Sequence, residues 1–263
     1  MSVIPKKSLG QNFLIDKNII DTIVDTINIK DKIVLEVGPG TGNLTKALLE
    51  KKPKKLFTIE KDKNLASLLK NEFKNKINII NDDILNVNEN IISNEKLIVF
   101  GNLPYNISTE ILCKWILNLD DEKIWFSNLI LMFQKEVADR IISNYNCSNY
   151  GRLSILANWK LDIKKIIDIN PNSFKPKPKI DSSLLFFSPK KNFFKFKNPH
   201  NLEKITRIFF NHRRKMIKKP YNQIFFNNTN IMNKLNLDLN LRPQNLDFET
   251  FYKLTEEYEK LRG

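Results

Sequence analysis

The sequence predicts an α/β fold, in which a doubly wound, mostly parallel sheet is followed by a small helical domain. Short β-branched runs alternate with stretches of helical periodicity over residues 19–187, and this alternation is typical of a parallel sheet with helical crossovers. After Ser188-Pro189 the strand pattern stops and only helical periodicity continues. We therefore expect a sheet domain at residues 1–189 and a helical domain at residues 190–263.

Strands are expected where compact apolar runs end in turn-forming or polar residues. Lys32–Val37 is the clearest example, because this β-branched run ends at Gly38 and is typical of a buried strand entering a glycine turn. The expected strands are 32–37, 55–59, 77–80, 97–100, 128–133, 164–169 and 182–187. Helices are expected at 19–29, 44–51, 65–73, 109–117, 135–143, 154–159, 201–217, 230–237 and 247–261.

The formal net charge of +14 favours a polyanionic partner, either nucleic acid or an anionic membrane surface. A coding bias towards Lys, Asn and Ile is the alternative explanation, and we favour nucleic acid. Cys113 and Cys147 form no C-x-x-C motif, so we expect no metal site and a reducing compartment. Because Met1–Leu14 lacks an apolar signal core and no segment has the apolar length of a membrane span, we expect a cytoplasmic protein.

Polar residues follow the carboxyl ends of four expected strands. Gly38–Gly42 follows the first strand, Glu60 the second, Asp83 the third and Asn102 the fourth. In doubly wound sheets the carboxyl ends of parallel strands share one edge, and ligands bind beyond it. We therefore expect these four groups to form one ligand site.

The glycine-containing segment Glu36–Gly42 indicates the kind of ligand. Glycines allow close backbone approach and positive φ, and Glu60 lies where an acid accepts hydrogen bonds from ribose hydroxyls. The dinucleotide pattern is incomplete because Asn43 replaces its third glycine, and the acid Glu36 suits a cationic ligand. With Asp83 available for an adenine amino group, these features favour S-adenosylmethionine over NAD. A glycine turn without a ligand is the remaining alternative.

Gly101–Ser108 is a candidate catalytic loop for methylation of an adenine amine. The lone pair of that amine is delocalised into the ring, so acceptors outside the ring plane must draw the nitrogen towards tetrahedral geometry. The Asn102 side-chain oxygen and the Leu103 carbonyl are candidate acceptors. Pro104 stiffens the loop by fixing φ, and Tyr105 can stack on a flipped base. A proline-stabilised surface turn is the alternative, which the position after the fourth strand disfavours.

These motifs resemble the bacterial ribosomal RNA adenine dimethyltransferase family, whose members modify two adjacent adenines near the 3′ end of small-subunit RNA. The similarity extends over nearly the whole chain. Lys6–Leu14 resembles the family's N-terminal motif, which closes over the cofactor, and Tyr150–Ser154 and Phe174–Ser182 match further motifs. The resemblance implies a Rossmann-like S-adenosylmethionine-dependent methyltransferase sheet with a small C-terminal helical domain.

The resemblance also assigns roles to individual residues. It implies that Phe174 stacks on the target adenine, on the face opposite Tyr105, whereas the residue pattern by itself also allows an ordinary buried loop residue. The expected catalytic set is therefore Asn102, Leu103, Pro104, Tyr105 and Phe174. The expected cofactor contacts are Asn12, Leu14, Gly38, Gly40, Glu60, Asp83 and Asn102.

A basic stretch from Lys190 to Lys219 predicts an RNA-binding surface, since its only acid is Glu203 and basic side chains contact phosphates. Within it, Asn211–Lys215 favours RNA over a solvated face because neighbouring arginines suit bidentate phosphate contacts. For the phenylalanines of this stretch we favour packing inside the small domain over base stacking. The expected RNA contacts are Arg213, Arg214 and Lys215, with Lys6 and Lys7 adding to the same positive field.

The expected partner is small-subunit ribosomal RNA, within the small subunit or its precursor, and the expected oligomeric state is a monomer. Three alternatives stay open. A macrolide-resistance methyltransferase of large-subunit RNA shares the fold and the chemistry. A ribosome-assembly or transcription factor could keep the fold without activity, although the intact Asn102–Tyr105 and Glu60 argue against it. A nicotinamide-dependent dehydrogenase is the third.

Overall fold

The computed structural model describes residues 5–6, 9–119 and 124–262, and within these ranges the strands form a seven-stranded sheet and a two-stranded sheet. In chain order the strands are β1 (Phe13–Leu14), β2 (Ile33–Val37), β3 (Lys55–Ile59), β4 (Asn78–Ile80), β5 (Leu97–Asn102), β6 (Phe126–Gln134), β7 (Leu161–Ile169), β8 (Phe174–Lys175) and β9 (Ser182–Pro189). The large sheet has the order β4-β3-β2-β5-β6-β9-β7. The first five of these strands are mutually parallel, and β9 pairs antiparallel with β6. The expected mostly parallel sheet is thus confirmed, and each expected strand is found.

All residues of the central strand β2 are buried, because β3 and β5 flank it and helices cover both faces of a parallel sheet of this kind. The helices are α1 (Lys17–Val24), α2 (Asn43–Glu50), α3 (Lys63–Phe73), α4 (Ser108–Leu117), α5 (Lys135–Ile142), α6 (Arg152–Lys160), α7 (His200–Phe210), α8 (Lys218–Phe225), α9 (Thr229–Lys234) and α10 (Phe248–Arg262).

The helix expected at 201–217 is too long, because α7 ends at Phe210 and a turn separates it from α8. The buried face of α7 carries Leu202, Ile205 and Phe209. The next positions on that face are His212 and Arg213, so the apolar stripe that packs a helix on its neighbours stops there. The expectation overlooked this change of pattern within the basic stretch.

The two-stranded sheet pairs β1 with β8, with Phe13 opposite Lys175 and Leu14 opposite Phe174. Neither strand is predictable from the sequence, because two residues are too short to show a periodicity. This pairing ties the N-terminal motif to the Phe174 loop.

The chain divides into two compact units. The first extends to Trp115 and adds Leu119–Ala138 and Ile163–Pro189; the second consists of Ile116–Asn118, Asp139–Asp162 and the residues from Lys190 onwards. One junction coincides with the expected boundary between 189 and 190. However, α6 belongs to the second unit, although the sequence analysis placed it in the sheet domain. The reason is packing: α6 contacts α7 and α10, and Tyr252 on α10 donates a 3.0 Å hydrogen bond to the Ile155 carbonyl.

Among the described residues, no helix combines the length and the apolar character that crossing a bilayer requires.

Candidate active site

A cavity opens at the carboxyl ends of β2, β3, β4 and β5, within the first unit. All four polar groups predicted at these strand ends line it, and the segment Leu9–Leu14 contributes a further wall. The predicted residues that line the cavity are Asn12, Leu14, Gly38, Gly40, Glu60, Asp83, Asn102, Leu103, Pro104 and Tyr105.

The glycine loop after β2 needs Gly38 and Gly40 for their conformation, and it needs Gly40 for space as well. Gly38 and Gly40 have φ values of 72° and 57°, in the left-handed region that other residues rarely adopt. A Cβ atom on Gly40 would lie 2.8 Å from Cδ1 of Phe13, and one on Gly38 would lie 3.4 Å from the Asn102 carbonyl oxygen. The loop therefore lies against both the N-terminal motif and the start of the catalytic loop.

Glu36 is a deeply buried acid beside this loop, with 1% of its surface exposed. The Thr45 hydroxyl donates a 2.6 Å hydrogen bond to its carboxylate. Burial raises the pKa of Glu36 to about 8; the Thr45 hydrogen bond opposes this rise, and the nearby negative charge of Glu60 adds to it. A carboxyl group in this state gains most from a positively charged ligand, which would stabilise its ionised form.

Glu60 follows β3 and is held by backbone donors. The Asp62 amide donates to one carboxylate oxygen at 2.8 Å and the Gly40 amide to the other at 3.2 Å. Burial raises the pKa of Glu60, and these two hydrogen bonds counteract the rise. Because a carboxylate has about four acceptor sites, acceptor capacity remains on the side that lines the cavity.

Asp83 follows β4 and is oriented by two donors. The Lys61 ammonium lies 2.6 Å from one oxygen, and the Leu85 amide donates to the other at 3.1 Å. The hydrogen bond from Lys61 lowers the pKa of Asp83 below its usual range. Asp83 is thus an ionised acceptor at the cavity wall.

Asn102, the last residue of β5, donates a 2.9 Å hydrogen bond from its side-chain nitrogen to the Asn12 backbone carbonyl. An amide group has one donor end and one acceptor end, so this bond leaves the Asn102 Oδ1 atom as the acceptor. The sequence predicts this acceptor, but it does not indicate that the Asn12 carbonyl orients it.

The rest of the catalytic loop is a tight turn that leads into α4. The Ile107 amide donates to the Pro104 carbonyl at 3.1 Å, and the Ser108 hydroxyl donates to the Tyr105 carbonyl at 3.2 Å. The half-buried Tyr105 hydroxyl shares a hydrogen bond with the Ser182 hydroxyl on β9. Hydrogen bonds at the backbone carbonyl and at the side-chain hydroxyl of Tyr105 therefore hold its ring at the cavity.

Two residues that the sequence patterns do not indicate hold the N-terminal motif at the cavity. Asn43 donates from its side chain to the Leu14 carbonyl at 2.7 Å. Asp62 accepts from Gln11 at 3.2 Å and pairs with Lys6 at 2.8 Å. Asp62 also caps α3 by accepting from the Asn64 amide, and an Asp immediately before a helix is the sequence signal that could have found it.

Comparison with known proteins identifies the family. The sequence matches the ribosomal RNA adenine dimethylase family over residues 5–260. A protein of Pelagibacter ubique (strain HTCC1062) named ribosomal RNA small subunit methyltransferase A is 65% identical over the full length of both chains. The chain belongs to this family. A protein of the same name from Wolbachia sp. subsp. Drosophila simulans (strain wRi) is 41% identical, over 98% of this chain and 94% of its own.

Solved structures agree with membership of the dimethylase family. A dimethyladenosine transferase from Plasmodium falciparum is 29% identical and superimposes with a TM-score of 0.80 over 94% of this chain and 98% of its own. The 23S rRNA methyltransferase ErmE, 21% identical, shares the fold with a TM-score of 0.69 over 95% of this chain and 100% of its own. The expected methyltransferase fold, the adenine dimethyltransferase activity and the use of S-adenosylmethionine are thereby confirmed, and the nicotinamide alternative is excluded.

The cavity of this dimethylase fits S-adenosylmethionine. The buried Glu36 carboxyl has a hydroxyl rather than a cation as its hydrogen-bond donor, which suits a ligand with a sulfonium and an α-amino group. The Glu60 carboxylate is oriented by backbone amides and lines the cavity. The Glu36 carboxyl thus suits the positively charged part of the methyl donor, and the Glu60 carboxylate suits its ribose.

Phe174 is the one expected catalytic residue that does not line the cavity in the described structure. Only 3% of its surface is exposed, and it packs in the hydrophobic core with Leu14 and Ile169. This position agrees with the alternative of a buried loop residue. Stacking on an adenine would require Phe174 to move.

The residues expected to contact RNA differ in whether their side chains are bound to other groups of the protein or are exposed to solvent. Lys6 is paired with Asp62, and Lys7 lies outside the described residues. In the second unit, the half-buried Arg213 donates to the Cys147 carbonyl at 3.2 Å, and its buried Nε atom has no hydrogen-bond partner among the described residues. Arg214 and Lys215 are exposed.

The phenylalanines of the basic stretch pack inside the second unit, as expected. Phe193 and Phe196 contact the Trp159 ring, with centroids 6.3 and 4.9 Å away. Phe194 packs on Tyr252 at 5.3 Å. Phe209 and Phe210 lie 5.7 and 5.6 Å from the ring of Phe251 on α10.

Proposed function

We propose that this chain dimethylates the N6 amines of two adjacent adenosines near the 3′ end of small-subunit ribosomal RNA, within the small subunit or its precursor. The observation that carries the proposal is the orientation of Asn102, whose Oδ1 acceptor is set at the edge of the cavity by the Asn12 carbonyl. The 65% identity to a small subunit methyltransferase over the full chain supports the choice of subunit.

Catalysis in this proposal consists mainly of positioning. S-adenosylmethionine supplies an electrophilic methyl group. The Asn102 Oδ1 atom and the Leu103 carbonyl accept hydrogen bonds from the target amine, which localises its lone pair for attack. Pro104 keeps the loop rigid, and the Tyr105 ring, held through Ser182, stacks on the flipped base. Such prearrangement of reactants lowers the barrier without a strong general base, because the alkylated nitrogen is acidic and releases its proton to solvent.

The methyl donor would be held by residues of the cavity wall. Glu60 accepts from the ribose hydroxyls and Asp83 from the adenine amino group. Gly38 and Gly40 let the ligand approach the backbone, and Asn12 and Leu14 close the cavity from the N-terminal motif. Glu36 carries the charge that complements the cationic part of the ligand.

The second unit would bind the ribosomal RNA chiefly through Arg214 and Lys215. Arg213, which is bound to the Cys147 carbonyl, would shape the turn at 211–215, and Lys6 and Lys7 would add positive charge elsewhere on the chain. Contacts of this kind recognise the backbone and the shape of folded RNA. We place this activity in the cytoplasm, with a monomeric enzyme.

The direct test is transfer of labelled methyl groups from S-adenosylmethionine to small subunits that lack the modification, followed by nucleoside analysis. Recovery of N6,N6-dimethyladenosine supports the proposal. Transfer to large-subunit RNA alone would replace it with the resistance-enzyme alternative. Tight RNA binding without transfer to either RNA would favour an assembly factor.

A further inference from the structure

Lys114 is a partly buried lysine on α4, the helix that begins directly after the catalytic loop. Its side chain is 19% exposed. The ammonium group donates to the Ile84 carbonyl at 2.8 Å, to the Val87 carbonyl at 2.6 Å and to the Glu89 carboxylate at 2.9 Å. These three hydrogen bonds use all three protons that an ammonium group carries.

The two carbonyls belong to the segment that follows Asp83, which we call the 83–87 loop. Asp83, Ile84 and Leu85 line the cofactor cavity, and the Leu85 amide donates to the Asp83 carboxylate. The loop forms neither a helix nor a strand. Its shape at the cavity therefore depends on contacts such as those of Lys114 rather than on a regular backbone ladder.

Glu89 fixes the position of the Lys114 ammonium. It is a buried acid, 5% exposed, and it also accepts a 2.7 Å hydrogen bond from the indole nitrogen of Trp115. Trp115 is itself 1% exposed, so the carboxylate is tied to the core. A buried carboxylate requires a positive partner, and Lys114 is that partner.

Lys114 also acts on the neighbouring acid. Its charge contributes, after the larger effect of Lys61, to the lowered pKa of Asp83. The same ammonium group thus supports both the backbone of the loop and the ionised state of the acceptor at its start.

We infer that Lys114 is a positioning residue, which holds the 83–87 loop in the shape that receives the adenine ring of S-adenosylmethionine and ties that loop to the helix that follows the catalytic loop. The inference rests on the proposed function in one respect, the assignment of the adenine to Asp83. It adds a structural link, through one side chain, between the adenine end of the cavity and the catalytic loop.

The test compares Lys114→Met with the unchanged protein by calorimetric titration of S-adenosylhomocysteine. The variant keeps the apolar stem and removes the three donors. We expect the Kd to rise about tenfold, roughly the effect of one charge-assisted hydrogen bond. The KM for S-adenosylmethionine should rise in parallel, with kcat at saturation within about twofold.

A merely structural role of Lys114 predicts a different pattern. It would lower the fraction of binding-competent protein and kcat, and it would leave the Kd of the folded fraction unchanged. That pattern, or an unchanged Kd and KM, overturns the inference. The matched control is Lys70→Met, at an exposed lysine near the end of α3, for which Kd and KM should stay as in the unchanged protein.

Glu89→Gln provides a second route if Lys114→Met does not fold. This variant keeps an oxygen acceptor for Trp115 and removes the charge that holds the ammonium group, so the Kd for S-adenosylhomocysteine should rise by a few-fold. An unchanged Kd in this variant contradicts the inference. These titrations need no RNA: an unchanged protein that binds S-adenosylhomocysteine but methylates no small-subunit RNA would refute the proposed function alone.

Discussion

The charged side chains of the cofactor cavity in the first unit differ in burial and hydrogen bonding from those of the basic turn, residues 211–215, in the second unit. In the cavity Glu36, Glu60 and Asp83 are buried or partly buried, and each is oriented by identified donors at 2.6–3.2 Å. At the turn, Arg214 and Lys215 are exposed, and screening by salt weakens their field. Under the proposed function, this difference lets the cavity select one small ligand by geometry and lets the turn attract an extended polyanion by charge.

The largest effect is expected for Asn102→Ala, which removes the oriented acceptor. Turnover should fall by about 10²–10³-fold, as for the loss of one preorganised group in other active sites, while S-adenosylhomocysteine affinity changes little. Single-turnover methyl transfer and calorimetry measure the two quantities. Near-normal turnover would show that the geometry of the cavity does not control the chemistry.

The next largest effect is expected for Glu60→Ala, and it concerns ligand binding. Loss of the carboxylate that we propose to bind the ribose should weaken S-adenosylhomocysteine binding by at least about tenfold, since hydrogen bonds to charged groups contribute about 1.5–3 kcal/mol. Methyl transfer at low cofactor concentration should fall by at least the same factor. RNA affinity, measured by filter binding, should be unchanged; a parallel loss of RNA binding would contradict the separation of the two regions.

A pH-dependent effect on stability is expected from Glu36. The folded protein retains this proton up to a pKa of about 8, whereas the unfolded chain releases it near 4.5. Between these values the folded state binds more protons, so the free energy of unfolding of the ligand-free protein should decrease as pH rises. Denaturant titrations from pH 5 to 8 should show that slope, and Glu36→Gln should flatten it. An identical slope in the variant would show that Glu36 is not the source of this pH dependence.

The smallest effect is expected at the basic turn. Replacing Arg214 and Lys215 together by Gln should weaken RNA binding by only a few-fold at moderate salt. The slope of log K against log salt should decrease by about 0.7–0.9 for each phosphate that the variant no longer neutralises. Arg213→Gln is a matched comparison: because Arg213 binds the Cys147 carbonyl, we expect a loss of stability as well. An unchanged salt slope in the double variant would show that the turn does not face RNA.

Sequence patterns predict the sheet and the cavity because each strand has a recognisable apolar run and parallel strands end at a common edge. Runs such as Ile33–Val37 are apolar and β-branched through most of their length, and the carboxyl ends of parallel strands meet at one edge. Gly38, Glu60, Asp83 and Asn102 each follow or end such a strand, so the pattern of the chain is enough to bring them together.

Other features depend on contacts that no local pattern encodes. The Asn12 carbonyl and the Asn102 amide are 90 residues apart, and β1 and β8 are two residues long. The residue pattern around Phe174 allows both a stacking residue and a core residue, since an aromatic ring in a proline-rich loop suits both. The transfer of α6 to the second unit follows from its packing against α7 and α10, which periodicity within α6 does not reveal.

The hydrogen bond between Asn102 and Asn12 determines which end of the Asn102 amide is available at the cavity. The two ends of a carboxamide have nearly the same size and shape, but one end accepts hydrogen bonds and the other donates them. Under the proposed function, an amide turned by 180° would present N–H groups to the target amine and repel it. The Asn12 carbonyl rejects that orientation, so a peptide group near the start of the chain determines whether Asn102 is an acceptor.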